Sequence, residues 1–96
     1  MPVEWTTSAL ADLAAIAGFI AQDDPEAAKR VAQRIHDVAS TLAAHPGLGR
    51  PGRVQDTREL VVPGLPYILP YQVKGATPFI LRVLHTARKW PDGFQR

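Results

Sequence analysis

The chain has 96 residues, 46% hydrophobic and 21% charged, enough for one small folded domain spanning 1–96 and too apolar for a disordered segment. It contains no cysteine, which excludes disulfides, CxxC redox chemistry and thiolate metal sites. The net charge of +2 conceals a split: residues 1–49 carry three basic and six acidic side chains, a net of −3, while residues 50–96 carry eight and three, a net of +5.

That asymmetry points to an anionic partner for the second half. The longest apolar run, 13–21, is about half of what a membrane span needs, and the N-terminus lacks a basic region followed by an apolar one. A cytoplasmic protein with no membrane partner is expected.

Val3 and Trp5 flank Glu4 in a short alternating stretch that reads as a first strand. Thr6, Thr7 and Ser8 offer N-caps. Leu10, Leu13, Ile16 or Ala17, and Ile20 then recur at steps of three and four, predicting an amphipathic helix over 8–22. Gly18 interrupts it at a cost of about 1 kcal/mol relative to alanine, with close helix packing as the expected reason. Asp24 as cap, Pro25 at the first helical position and Glu26 beside the positive end of the dipole start a second helix. Its apolar stripe is Ala28, Val31, Ile35, Val38 and Leu42, so it should span 25–44 and stop before His45-Pro46-Gly47. The short connection predicts an antiparallel helical hairpin.

Seven of the nine prolines follow residue 44. HPGLGRPGR (45–53) reads as a loop; TRELVV (57–62), YILPYQV (67–73) and PFILRVLH (78–85) read as three strands of an antiparallel meander. Pro70 removes a ladder donor from the middle strand, so a local irregularity is expected there. Strict alternation in the last strand would put Phe79, Leu81, Val83 and His85 on one face and Ile80, Arg82 and Leu84 on the other. The tail TARKWPDGFQR is too broken by Pro91 and Gly93 to form another element. The predicted fold is α+β in the order β-α-α-β-β-β, a helical hairpin on one face of a mainly antiparallel sheet, with the other face free.

His85 stands three residues before Arg88-Lys89. It reads as a general acid/base or a phosphate ligand beside cations, or as a strand-end histidine bonded to a backbone carbonyl. His36, His45 and His85 lack ligand spacing, so no metal and no other cofactor is expected. Arg58, Arg82 and Arg88 come from different strands or strand ends and can converge to hold phosphate or carboxylate groups; singly, each reads as surface charge. Arg50 and Arg53 in the loop extend that cationic set. Tyr67, Tyr71 and Trp90 can stack on bases or anchor a peptide, and both tyrosines fit a core role equally well. GLGRPG lacks the Lys-Ser/Thr of a phosphate loop, and no nucleophile elbow is present.

Six strings occur in order: VEWTTSALADLAAIAGFIA, DPEAAKRVAQRI, LAAHPGLGRPGRV, TRELVV, PYILPYQV and ILRVLHTARKWP. Together they cover nearly the whole chain and resemble the RelE/ParE superfamily of bacterial toxins, most tellingly in YILPYQV and ILRVLHTAR. The resemblance implies the fold above and a type II toxin–antitoxin module. In such a module a small growth inhibitor is held by a cognate antitoxin, whose other end binds operator DNA, so this chain would meet DNA at the operator only indirectly. RelE-like members cut mRNA on the ribosome; ParE-like members are described as poisoning DNA gyrase.

A nuclease needs a base, an acid and cations around the phosphorane, and the resemblance would give those parts to Glu59, Arg58 or Arg88, and His85. Against this, 57–73 contains no lysine, and adjacent Arg58 and Glu59 point to opposite faces of a strand. The alanine-rich helices and the LHTARKWP ending are more similar to the ParE-like branch. That branch implies action by binding, with Arg82, Arg88, Lys89 and Trp90 as contacts and Tyr67 and Tyr71 beside them. A non-toxic antitoxin-binding module is the third reading.

Overall fold

The computed structural model describes residues 2–91; Asp92 and Arg96, which enter the charge split, and the end of the predicted tail lie outside the described residues. Strand β1 (Glu4–Trp5) leads into helix α1 (Thr7–Ala21) and helix α2 (Pro25–Ser40). Thr6 caps α1 by accepting the Ala9 N–H at 3.1 Å, and Asp24 caps α2 by accepting that of Ala27 at 3.0 Å. Beyond Ser40 the helix tightens into one 3₁₀ turn, Thr41–Ala43, so the predicted end at 44 holds with a change of winding. That turn delivers Leu42 into the core, fully buried.

Five strands follow: β2 (Arg50–Pro51), β3 (Arg58–Val61), β4 (Tyr67–Lys74), β5 (Thr77–Ile80) and β6 (Leu84–His85). The sheet order is β1-β5-β4-β3-β2, with β6 also on β4; β1 runs parallel to β5 and every other pair is antiparallel. The 45–53 segment is therefore not all loop. Arg50 and Pro51 pair with Glu59 and Arg58 as a two-residue edge strand, a position where proline's missing donor does no harm. Gly49 just before it lies so close to Tyr71 that an added Cβ would stand 2.6 Å from the ring, which explains a glycine there.

The helices cover the sheet face that carries Leu60, Val62, Tyr67, Leu69, Tyr71 and Ile80, packing Ala9, Ile35, Ala39 and Leu42 against it. The predicted stripe of α2 supplies its share through Ile35 and Leu42. On α1 the predicted Leu10 is instead 53% exposed, and Ala9, outside the predicted stripe, is the buried residue, with Leu13 and Ile16 partly buried beside it. The opposite face is not free as expected: Trp90 folds back onto Ile68 and Leu84 and all three are buried. Close helix packing does not account for Gly18, because nothing lies within 4 Å of a Cβ built on it. Among the described residues no helix is long and apolar enough to cross a membrane.

The predicted last strand is broken. Between Tyr71 and Tyr67 β4 advances four residues, while their partners Ile80 and His85 are five apart, so one extra residue is accommodated as a bulge. The cause lies in Pro70. Its carbonyl accepts the Leu81 N–H at 2.8 Å, but it has no N–H to return to the Leu81 carbonyl. The hydroxyl of Thr6 donates to that carbonyl instead, at 2.9 Å. Alternation fails as a result: Ile80 and Val83, three apart, both enter the helix-side core, and His85 arrives opposite Tyr67.

Candidate functional site

The bulge opens a groove of about 410 Å³ between α1 and the segment that begins at Arg82. Its helical wall is Ala15, Ile16 and Phe19; its other wall includes Tyr67, His85 and Arg88. Asp12, the only charged residue of α1, ties the two walls together. It accepts from Arg82 Nε at 2.7 Å and Nη2 at 2.9 Å, and from the Val83 N–H at 2.9 Å. The hydrogen bond from Asp12 pushes the Arg82 guanidinium further up from its already high ordinary value, so this cation is permanently charged and committed to the fold.

His85 is fixed on three sides. Nδ1 accepts the Ala87 N–H at 3.0 Å, the ring meets Tyr67 edge-on at 5.5 Å, and the carbonyl accepts Trp90 Nε1–H at 3.0 Å. Because Nδ1 acts as acceptor, this hydrogen bond assigns the neutral ring its proton at Nε2. The free edge is thus a donor, suited to a carbonyl or an anion. Arg88 and Lys89 are exposed on the rim, and the Arg88 guanidinium carbon sits 5.9 Å from the centre of the Phe19 ring.

The remaining sequence candidates are elsewhere. Tyr71 is fully buried, donating to Pro46 O at 2.7 Å and accepting the Gly49 N–H at 2.8 Å; it braces the 46–49 turn. Arg58 donates to the Gly49 carbonyl at 2.8 Å. Glu59, 4% exposed, accepts the Arg53 N–H at 2.8 Å and faces the guanidiniums of Arg50 and Arg53 at 3.5 and 3.8 Å. Arg53 in turn lies 3.5 Å over the Trp90 ring, a cation–π contact that ties the far-side carboxylate to the C-terminal segment. Tyr67, Arg82, His85, Arg88, Lys89 and Trp90 therefore share one groove, while Tyr71, Arg58 and Glu59 do not line it.

Phe19 and Asp12 were missed as site residues. Their signals were an aromatic residue off the helix's core stripe, and a lone carboxylate in an otherwise uncharged helix. Among the described residues no three histidine or acidic side chains gather as metal ligands.

The family described as "ParE toxin of type II toxin-antitoxin system, parDE" matches residues 3–90. The chain belongs to the ParE toxin family. It is 45% identical over 90 residues to Y4kP of Sinorhizobium fredii, covering 94% of this chain and 93% of that protein. It is 42% identical over 86 residues to the toxin RelE2 of Caulobacter vibrioides, covering 90% and 96%. A chain from the structure of a chromosomal ParDE TA system from P. aeruginosa superposes with a TM-score of 0.79 at 35% identity, covering 88% of this chain and 95% of that one. This ParE-family chain is thus the toxin of a type II toxin–antitoxin system, and a cognate antitoxin is its partner. The helical hairpin on a mainly antiparallel sheet is the fold it shares with the ParDE structure.

Proposed function

We propose that this toxin arrests growth by binding DNA gyrase through its cationic C-terminal half, and that it does so without cutting RNA. The carrying observation is that two of the nuclease candidates, Arg58 and Glu59, lie apart from His85. Arg58 pairs with Tyr71 and His85 with Tyr67, on opposite sides of β4. Their backbones are thus roughly 13 Å apart along the strand and about 10 Å across it, where acid–base catalysis needs groups within about 3 Å of the reacting atoms. Glu59 is buried beneath two arginines, and the open edge of His85 offers a proton donor rather than a base. Membership of the ParE branch supports the gyrase reading.

A second reading, ribosome-dependent mRNA cleavage, is favoured by the name of the Caulobacter relative and by the shared groove of His85, Tyr67 and Arg88. One experiment separates the two: tightly controlled expression in growing cells, with gyrase-dependent DNA breaks and transcript ends mapped together. Trapped DNA breaks that persist in His85→Ala are the expected result. Codon-linked transcript cleavage that disappears in His85→Ala would overturn the gyrase reading. Normal growth with neither lesion would leave a non-toxic antitoxin-binding module, acting in a cytoplasm it does not poison.

A further inference from the structure

Glu59 is the one carboxylate buried among the described residues, 4% exposed, and packing alone does not explain it. An apolar side chain of similar volume would fill the same space without the loss of hydration that a buried charge suffers. Its contacts go to the segment that begins with β2. Oε1 faces the Arg50 guanidinium at 3.5 Å. Oε2 accepts the Arg53 N–H at 2.8 Å and lies 3.8 Å from Nε of the same residue. One oxygen thus holds both the backbone and the side chain of Arg53, which fixes the direction of its guanidinium.

That direction is toward the C-terminal segment. The guanidinium carbon sits 3.5 Å over the Trp90 ring, a cation on an indole face. Trp90 is packed against Ile68 and Leu84, and its Nε1–H reaches the His85 carbonyl at 3.0 Å. The chain between these residues is short. His85 is held in β6 opposite Tyr67, the Ala87 N–H donates to His85 Nδ1, and the Arg88 N–H turns back to the His85 carbonyl at 3.4 Å. Residues 86–89 therefore hang between two fixed ends, β6 and Trp90, with all four exposed. A shift of Trp90 moves both cations, because Lys89 is its neighbour in the chain and Arg88 the next.

Arg53 does not line the groove that Arg88 and Lys89 share, so its route to them runs through the indole. We propose that Arg53, aimed by Glu59, is a positioning residue of the toxin: through Trp90 it holds Arg88 and Lys89 in the orientation that meets the target. The buried carboxylate then has a role that neither catalysis nor packing gives it. The inference rests on the reading above in one respect, that the C-terminal cations contact the target.

Growth arrest measured against intracellular toxin level, in cells without antitoxin, tests the coupling by double-mutant cycle. Arg53→Ala should raise the toxin level needed for half-arrest by about fivefold. Trp90→Leu keeps an apolar filler but loses the ring face and the Nε1–H, and should raise it by about tenfold. The two combined should do no worse than Trp90→Leu alone. Additive losses would overturn the proposal, since Arg53 would then act without Trp90. Arg30→Ala removes the same charge from an exposed position of α2 and should change nothing. A loss equal to that of Arg53→Ala would make net charge the cause and overturn the proposal as well.

In the isolated full chain, Arg53→Ala should speed exchange of the Trp90 indole Nε1–H by about fivefold, while the Leu69 amide in the centre of β4 keeps its rate. Equal acceleration at both sites would mean a general loosening, and an unchanged indole would mean that the cation does not hold the ring; each overturns the proposal. The paired variant Arg88→Ala with Lys89→Ala separates the positioning role from the contact it serves. If that pair arrests growth as the parent does, the cationic contact falls and the positioning role with it. If the pair is inactive while Arg53→Ala keeps full potency, only the positioning role falls. Neither the pair nor the exchange measurement needs Trp90→Leu, so both decide the matter if that variant does not fold.

Discussion

On the helix side of the sheet, Leu60, Val62, Leu69 and Ile80 meet Ile35, Ala39 and Leu42 with no charged group among them. On the far side, Ile68, Leu84 and Trp90 share their surface with a buried carboxylate and the guanidinium of Arg53. The first arrangement is non-directional: apolar area leaves water and any well-filled shape is stabilising. The second is directional, because Glu59, Arg53, Trp90 and His85 form a chain in which each group orients the next. The first face holds most of the clustered buried apolar side chains. The other decides where the C-terminal cations stand, and the groove carries Asp12 as the link between the helical layer and that segment.

The largest effect belongs to the helix side. Leu42 is fully buried in the 3₁₀ turn, so Leu42→Ala should cost about 3 kcal/mol and lower Tm by roughly 15 °C. Thermal and denaturant unfolding of the isolated toxin measure it. A loss under about 1 kcal/mol would mean that the helical layer contributes far less than its burial implies.

Next comes the link between the layers. Asp12→Ala strands the Arg82 guanidinium and the Val83 N–H and should cost about 2 kcal/mol, since both partners are only partly exposed. Asp12→Asn keeps an acceptor for Val83 and should recover about half. The same variants should speed hydrogen exchange at Val83 more than at Leu69 in the centre of β4. Equal acceleration at both sites would make Asp12 a general core residue and erase the distinction between the layers.

These contacts also show what a linear sequence can and cannot reveal. Asp24-Pro25 started α2 where expected because a cap acts within one turn. The stripe of Ala28, Ile35 and Leu42 and the first two of the three strand runs were legible for the same reason, that periodicity is local; the third run, 78–85, breaks into β5 and β6. The β2 pairing was not, since its partner Arg58 lies beyond the 52–57 turn, closed by the Gly52 N–H on Thr57 O and the Arg53 N–H on the Glu59 carboxylate. Pro70 announced an irregularity, yet the distortion appeared across the ladder in the partner strand, where the missing donor is felt. His85, Arg88, Lys89 and Trp90 could be grouped from their proximity in sequence. Asp12 and Phe19 could not, because only the tertiary fold brings α1 beside the segment leading into β6; Asp12 and Arg82 are 70 positions apart.

The far side should respond differently. Arg53→Ala removes the cation over Trp90 and one partner of Glu59, at a cost of about 1 kcal/mol. In a Trp5→Phe background, Trp90 emission should shift to the red and become more accessible to acrylamide while the main unfolding transition barely moves. A drop in Tm as large as that of Leu42→Ala would show that both faces stabilise the fold alike.

The smallest effect is expected where neither face presses. Gly18 lies in the interior of α1, exposed, with nothing within 4 Å of an added Cβ. Gly18→Ala therefore removes backbone freedom from the unfolded chain without creating a clash, and should stabilise the isolated toxin by roughly 0.5–1 kcal/mol. Denaturant midpoints at constant m-value would record it. The helix-side core answers to lost volume and the far side to lost orientation, whereas this position answers only to chain entropy. A destabilised Gly18→Ala would mean that another surface approaches α1 in solution, so that the two faces of the sheet are not the only ones under load.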